Sequence, residues 1–202
     1  MSPTEVKAPE PPLRRSRGRP RDTGLQQKIK DAALTVLARH GFSGLTLERV
    51  CAEAQVPKAT FYRRWDNPTA CVIEAFLEAW SEVEFVDTGS PAEDLGVFAH
   101  KLIKLYSHPK LGPCSVAMQL ESRLSAQVGA SQDASARRRR AKNASALQQA
   151  LNLMPTPPAL SAELILNVLN GVARNVYSLN WPVSDEELRK LVQSLLAPAS
   201  AS

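Results

Sequence analysis

Between Lys58 and Arg64 the chain places Lys58, Ala59, Thr60, Tyr62, Arg63 and Arg64 close together, a set able to grip and inspect a polyanion. Lysine and arginine bring charged donors to phosphate oxygens, and the tyrosine and threonine hydroxyls add neutral ones. The small Ala59 lets a backbone approach a base edge. Such chemistry needs a rigid helix presented by a frame. Phe61 and Trp65, interleaved at helical spacing, read as the core anchors of that helix rather than as base contacts.

The frame begins at Thr46, whose hydroxyl can cap a helix carrying Leu47, Val50, Cys51 and Ala54 on one apolar face. Gln55, Val56 and Pro57 interrupt it, and Pro57 suits the start of a second helix near Lys58. Two short helices about a tight turn, the second ending in aromatic and basic residues, read as a helix-turn-helix. In that motif the first helix crosses the DNA backbone and the second lies in the major groove, so Thr46, with Tyr62, is expected on phosphates. The segment resembles the TetR family of transcriptional regulators, with Thr46, Ala54, Val56, Lys58, Thr60, Phe61, Tyr62, Arg63 and Trp65 at the matching places over roughly residues 25 to 80. The resemblance implies double-stranded DNA as partner, a homodimer and a small-molecule effector. Three positions depart from the family pattern. Gln55 stands where a glycine is usual, at a site that often needs positive φ and would then carry about 1 kcal/mol of strain. Pro57 replaces a capping serine, and Pro68 replaces a lysine, although Asn67-Pro68 remains a good helix start.

Upstream, Thr23-x-x-Gln26 reads as a capping box for a helix with Ile29, Ala32, Ala33, Val36 and Leu37 on one face, ended by Gly41. With Phe42 and Leu45 it completes a three-helix head. Residues 1 to 13, rich in proline, are expected to be disordered. Arg17, Gly18, Arg19, Pro20 and Arg21 look like an AT-hook, able to lie extended in a narrow minor groove. Charge follows the same division, with 13 Lys/Arg against 7 Asp/Glu in residues 1 to 66 and 12 against 13 in the rest. A basic front third fits a polyanion-binding module joined to a domain with another task.

The rest reads as helical. Val72, Ile73, Phe76, Leu77 and Trp80 form one stripe, and Glu74, Glu78 and Glu82 another that reads as a solvated face. Ser90-Pro91-x-Glu93 should cap a helix bearing Leu95, Phe98, Ala99, Leu102, Ile103 and Tyr106, up to Pro109. Leu111 to Val128, with Pro113, reads as a shorter or broken helix. Residues 132 to 152 look helical and polar, with Arg137 to Arg140 as a solvated run. Leu164 to Leu179 is apolar over about 220° of a helical wheel, wider than the roughly 100° stripe of a surface helix, which points to burial on more than one side. Ser184-x-x-Glu187 caps a last helix. Ile165, Leu169, Val176, Leu188, Leu191, Val192 and Leu195 are therefore expected in a dimer interface, in line with the two-helix contribution the resemblance implies.

The fold class expected is all-α, with a disordered basic arm (1–22), a helix-turn-helix domain (23–66), a larger helical effector-binding and dimerisation domain (67–198) and a short tail (199–202). Phe98, Leu102, Tyr106, Met118 and Val172 are candidates for a mostly apolar effector pocket, favouring an apolar or aromatic ligand. Cys51 and Cys71 read as small buried residues, and three cysteines imply neither a disulfide framework nor a zinc site. His40, His100 and His108 are not spaced as a metal set, and the Ser107-to-Lys110 match lacks a supporting base. Neither catalysis nor a cofactor is expected. The polar N-terminus and the lack of a long apolar run point to the cytoplasm and away from a membrane. The function expected is a transcriptional repressor released from a palindromic operator by its effector. The alternative is an architectural DNA protein that dimerises without sensing a ligand.

Overall fold

Apolar side chains recurring every three or four residues coil most of the chain into helices, and the breaks fall where proline, glycine or a capping side chain interrupts the period. The computed structural model describes residues 23–198, so the expected arm contacts Arg17, Gly18, Arg19 and Arg21 lie outside the described residues, as does the tail. The helices are α1 (Thr23–His40), α2 (Leu47–Ala54), α3 (Lys58–Tyr62), α4 (Pro68–Ser81), α5 (Pro91–Ser107), α6 (Leu111–Leu124), α7 (Ala126–Asn152), α8 (Ala162–Ser178) and α9 (Asp185–Leu195). A short 3-10 turn, Phe42–Gly44, follows α1. The fold is all-α, a helix-turn-helix head followed by a larger helical body, and among the described residues no helix is long and apolar enough to cross a membrane.

In the head, α1 buries Ile29, Ala32, Ala33, Val36 and Leu37 and packs on α2 and α4. Gly41, at φ 63°, turns the chain out of α1 in a conformation that costs glycine little. Thr46 caps α2, its hydroxyl accepting from the Arg49 amide at 3.3 Å. Gln55 ends α2 in the left-handed region at φ 53°, ψ 49°, the strained geometry its place in the turn predicts. Pro57 then starts α3 without a side-chain cap, and the Asn67 side chain caps α4 by accepting from the Ala70 amide at 2.9 Å.

The body departs from expectation at four places. Ser90 makes no side-chain cap; the buried Asp94 instead accepts from the amide and hydroxyl of Thr88, at 2.9 and 2.6 Å, and fixes the loop before α5. Leu111 to Leu124 is one continuous helix, because Pro113 falls in its first turn, where the missing N–H has no intrahelical partner to lose. The break comes at Ser125, and α7 begins at Ala126, earlier than its apolar residues suggest. A Cβ on Gly129 would sit 2.6 Å from the Ser122 carbonyl, so only glycine lets α7 fold back this closely on α6.

The fourth correction concerns the expected dimer face. Ile165 and Leu169 are buried in the protomer, as are Leu188, Val192 and Leu195, because α8 and α9 both pack on α5. Each such side chain contributes about 2 kcal/mol to the fold by burial and is not available to a partner. Leu191 is half-buried against the same core, and Val176 is half-buried. The outward side of α8 and the turn after it instead expose Leu164, Leu179 and Trp181, with Val172 half-buried.

Candidate nucleic-acid interface and body cavity

On α3 and the turn that follows it, the apolar and polar residues divide as a presenting helix requires. Phe61 and Trp65 are buried, with ring centroids 5.5 Å apart, while Lys58, Ala59, Tyr62, Arg63 and Arg64 are exposed and Thr60 is partly so. The Tyr62 ring is 57% exposed and meets Phe61 edge-on, so its hydroxyl is carried outward by a fixed support. Lys58 pairs with Glu48 of α2, an exposed contact that lowers the Glu48 carboxyl pKa and raises that of Lys58 through their hydrogen bond. An anion approaching Lys58 therefore competes with Glu48. Thr60 accepts from Arg63 at 3.4 Å, whereas Arg49 donates to the Gly44 carbonyl at 3.0 Å and belongs to the frame.

The frame is tied to the body through α4. Lys30, buried on α1, reaches Glu74 at 2.8 Å and Glu78 at 2.7 Å, and the Trp65 indole donates to Glu74 at 2.9 Å. Burial alone would depress the Lys30 pKa, but the two carboxylates outweigh it and raise it. Burial likewise works to raise the Glu74 pKa, and its hydrogen bonds from Lys30 and Trp65 bring it below the usual value. The glutamate stripe, expected to be solvated, is thus in part a clasp between α1, α3 and α4. A second tie runs from α6, where the buried Cys114 thiol donates to the Leu34 carbonyl of α1 at 3.3 Å. Burial pushes the Cys71 and Cys114 thiols up to about 12, which makes both poor nucleophiles at neutral pH.

The body holds a partly open cavity of about 670 Å³ between α4, α5, α6, α7 and α8. Phe98, Leu102 and Tyr106 line it, together with Trp80; Met118 is fully buried in the core and Val172 lies on the outer side of α8, and neither reaches the lining. The lining is not the mostly apolar surface expected. Arg137, Arg139, Arg140 and Arg174 stand on it beside Asp133 and Glu163. Arg137, Arg138 and Arg140 are exposed, as a solvated run requires, and Arg139 alone is half-buried, although Arg137, Arg139 and Arg140 all border the cavity. Arg139 lies 4.5 Å over the Trp80 ring, a cation–π contact, and the Trp80 ring meets Tyr106 edge-on at 5.4 Å. The Tyr106 hydroxyl donates to Asn170 at 3.3 Å. Burial raises the Tyr106 pKa, with the nearby Arg174, Arg139 and Arg140 opposing it. A sequence signal for this wall exists. Glu163, Asn167, Asn170 and Arg174 recur at i, i+4, i+7 and i+11 on α8, a polar row inside an otherwise apolar helix.

Residues 29–75 match the family model described as bacterial regulatory proteins, tetR family. An HTH-type transcriptional regulator of Bacillus subtilis, YdeS, is 36% identical over 93 residues, covering 46% of this chain and 47% of the relative. The HTH-type transcriptional regulator AqdR of Rhodococcus erythropolis is 30% identical over 94 residues, covering 46% of this chain and 45% of the relative. The chain thus spans about half the length of the curated relatives it matches. Among solved structures, Salmonella enterica GusR superposes with a TM-score of 0.70 at 17% identity, over 87% of this chain and 96% of that one. The fatty acid degradation regulator FadR of Bacillus halodurans gives 0.66 at 18% identity, over 93% and 100%. At these identities the structural likeness is one of fold.

Proposed function

We propose that the chain, whose N-terminal head matches the tetR family of bacterial regulatory proteins, is a homodimeric transcriptional repressor that leaves its operator when a small molecule enters the body cavity. The observation that carries the DNA-binding part is the exposed face of α3 and the turn after it, Lys58 to Arg64, mounted on the buried Phe61 and Trp65. Lys58, Ala59 and Thr60 stand at the N-terminal end of α3, where a recognition helix meets base edges. Tyr62, Arg63, Arg64 and Thr46 suit phosphates, and Arg17, Gly18, Arg19 and Arg21 suit an adjacent minor groove. The cavity supports sensing over a purely architectural role, because its volume falls within the roughly 300–1,000 Å³ of small-molecule sites. Effector binding would act by population shift, favouring a dimer whose heads are wrongly spaced for successive major-groove faces, and only to the extent of its differential affinity for the two states.

The reading is tested by selecting DNA from a random pool with the full chain and measuring mobility shifts at fixed salt. Tyr62→Ala and Lys58→Ala are each expected to weaken binding by tenfold or so while sedimentation shows an unchanged assembly, since a lost charged or positioned contact is worth about 1–3 kcal/mol. Unchanged affinity in both variants would remove α3 from the interface.

A further inference from the structure

We propose that the body cavity takes an amphipathic anion, a carboxylate or phosphate head on an apolar tail, with the head held by Arg139, Arg140 and Arg174. The proposal rests on the effector reading of the same cavity and adds the chemical class of the ligand.

Charge on the lining is unbalanced. Arg137 has Asp133 at 3.9 Å, whereas among the described residues no carboxylate lies within ion-pair distance of Arg139, Arg140 or Arg174. Glu163, the other acid on the lining, is exposed in the first turn of α8, where the helix end favours its charge. The three unpaired guanidiniums share one lining with Tyr106, whose hydroxyl bonds Asn170, one turn before Arg174 on α8. Arg139 is the most enclosed, packed over the Trp80 ring, and burial together with the Arg140 charge lowers its pKa. A guanidinium stays protonated under these conditions, so the cost falls on like-charge repulsion at reduced dielectric. An anionic head removes that repulsion and accepts from planar donors suited to carboxylate and phosphate oxygens. A neutral head gains neither effect. The opposite wall sets the rest of the ligand. Trp80, Phe98 and Leu102 contribute apolar atoms to the lining, against which a tail would pack and a small inorganic anion would not.

The test titrates the full chain by calorimetry with octanoate, octyl phosphate and octan-1-ol, which differ chiefly in the head group. Wild type, Arg139→Gln and Arg174→Gln are compared. At least one anion is expected to bind roughly tenfold or more tightly than the alcohol, and each substitution to weaken that anion by about tenfold while leaving the alcohol nearly unchanged. The preferred anion distinguishes a carboxylate from a phosphate ligand. Arg174 is exposed on α8, so its variant decides the matter if Arg139→Gln does not fold, and ligand-free melts of both variants report which case applies. The proposal is overturned if the alcohol binds as tightly as both anions, if neither anion binds at millimolar concentration, or if Arg174→Gln keeps wild-type anion affinity. Mobility shifts on the selected DNA run alongside. Anion binding that never releases DNA overturns the effector reading and leaves the ligand class standing; release by the alcohol alone does the reverse.

Discussion

Gln55 shows how one side chain can stand where the backbone asks for none. Its left-handed geometry, φ 53° and ψ 49°, costs a non-glycine residue about 1–2 kcal/mol, while glycine there would lose roughly 0.5–1 kcal/mol through its freer unfolded chain. Gln55→Gly is therefore expected to stabilise the protein by about 0.5–1 kcal/mol, a melting-temperature rise of roughly 1–4 °C by calorimetry. A fall in melting temperature would mean that the Gln55 side chain compensates the strain. Strain at Gln55 was legible through the family resemblance, which puts glycine at that place in the turn. Phe61 and Trp65 were legible directly, because their spacing separates anchor from reader. Glu74 and Glu78 were not legible in this way. Their i, i+4 spacing on α4 looks like any solvated stripe, and only the tertiary approach of Lys30 from α1 makes them a clasp.

At the scale of elements, α9 is held to α5 by apolar packing and by one titratable contact, His100 to Asp185 at 3.0 Å. The other ring nitrogen of His100 lies 2.8 Å from the Gly96 carbonyl, so the doubly protonated ring satisfies both neighbours. The hydrogen bond with Asp185, then that with Gly96, raises the His100 pKa above its ordinary 6.5. A pKa raised by folding adds stability that is fully present below about pH 6.5 and is lost as pH rises through the folded value. Asp185→Asn should thus be less stable than wild type near pH 6, by under about 1 kcal/mol because both groups are exposed, and equal to it by about pH 8.5. Melting curves across that range check the convergence; a gap that persists would place the effect in helix capping instead. Helix existence followed from periodicity, but what each face of α8 and α9 meets did not, nor did the α6–α7 break, since the Ser125 corner rests on the close approach of Gly129 rather than on a run of breaking residues.

For the whole molecule, the walls of the cavity are also the struts of the head. Trp80 and Phe76 of α4 line the cavity, and Glu74 and Glu78 of the same helix hold α1; Ser115 of α6 lines it next to Cys114, which bonds α1. A ligand that moves either helix therefore loads the head directly. The partner surface that the proposed dimer needs falls on Leu164, Val172, Leu179 and Trp181, because the inward leucines are already buried. Leu164→Glu is expected to yield folded monomers by sedimentation, whereas Leu169→Glu should unfold the protomer by burying an unpaired charge. A folded monomer from Leu169→Glu would put the interface back on the inner face. Composition could not separate these two leucines, since an apolar arc of 220° gives its width and not what each part touches.

Helix α8 serves the core, the cavity and the outer apolar surface on three successive sides, and its reading frame is correspondingly unforgiving. One extra alanine at Gly171, where the backbone has open space, would be accepted sterically. It would also turn every later residue by about 100° relative to the residues before it. Ala173 would leave the core, Arg174 would leave the cavity and Val176 would change neighbours together. Such an insertion is expected to abolish ligand response, self-association and much of the stability in a single step, where substitutions on the separate sides fail one at a time.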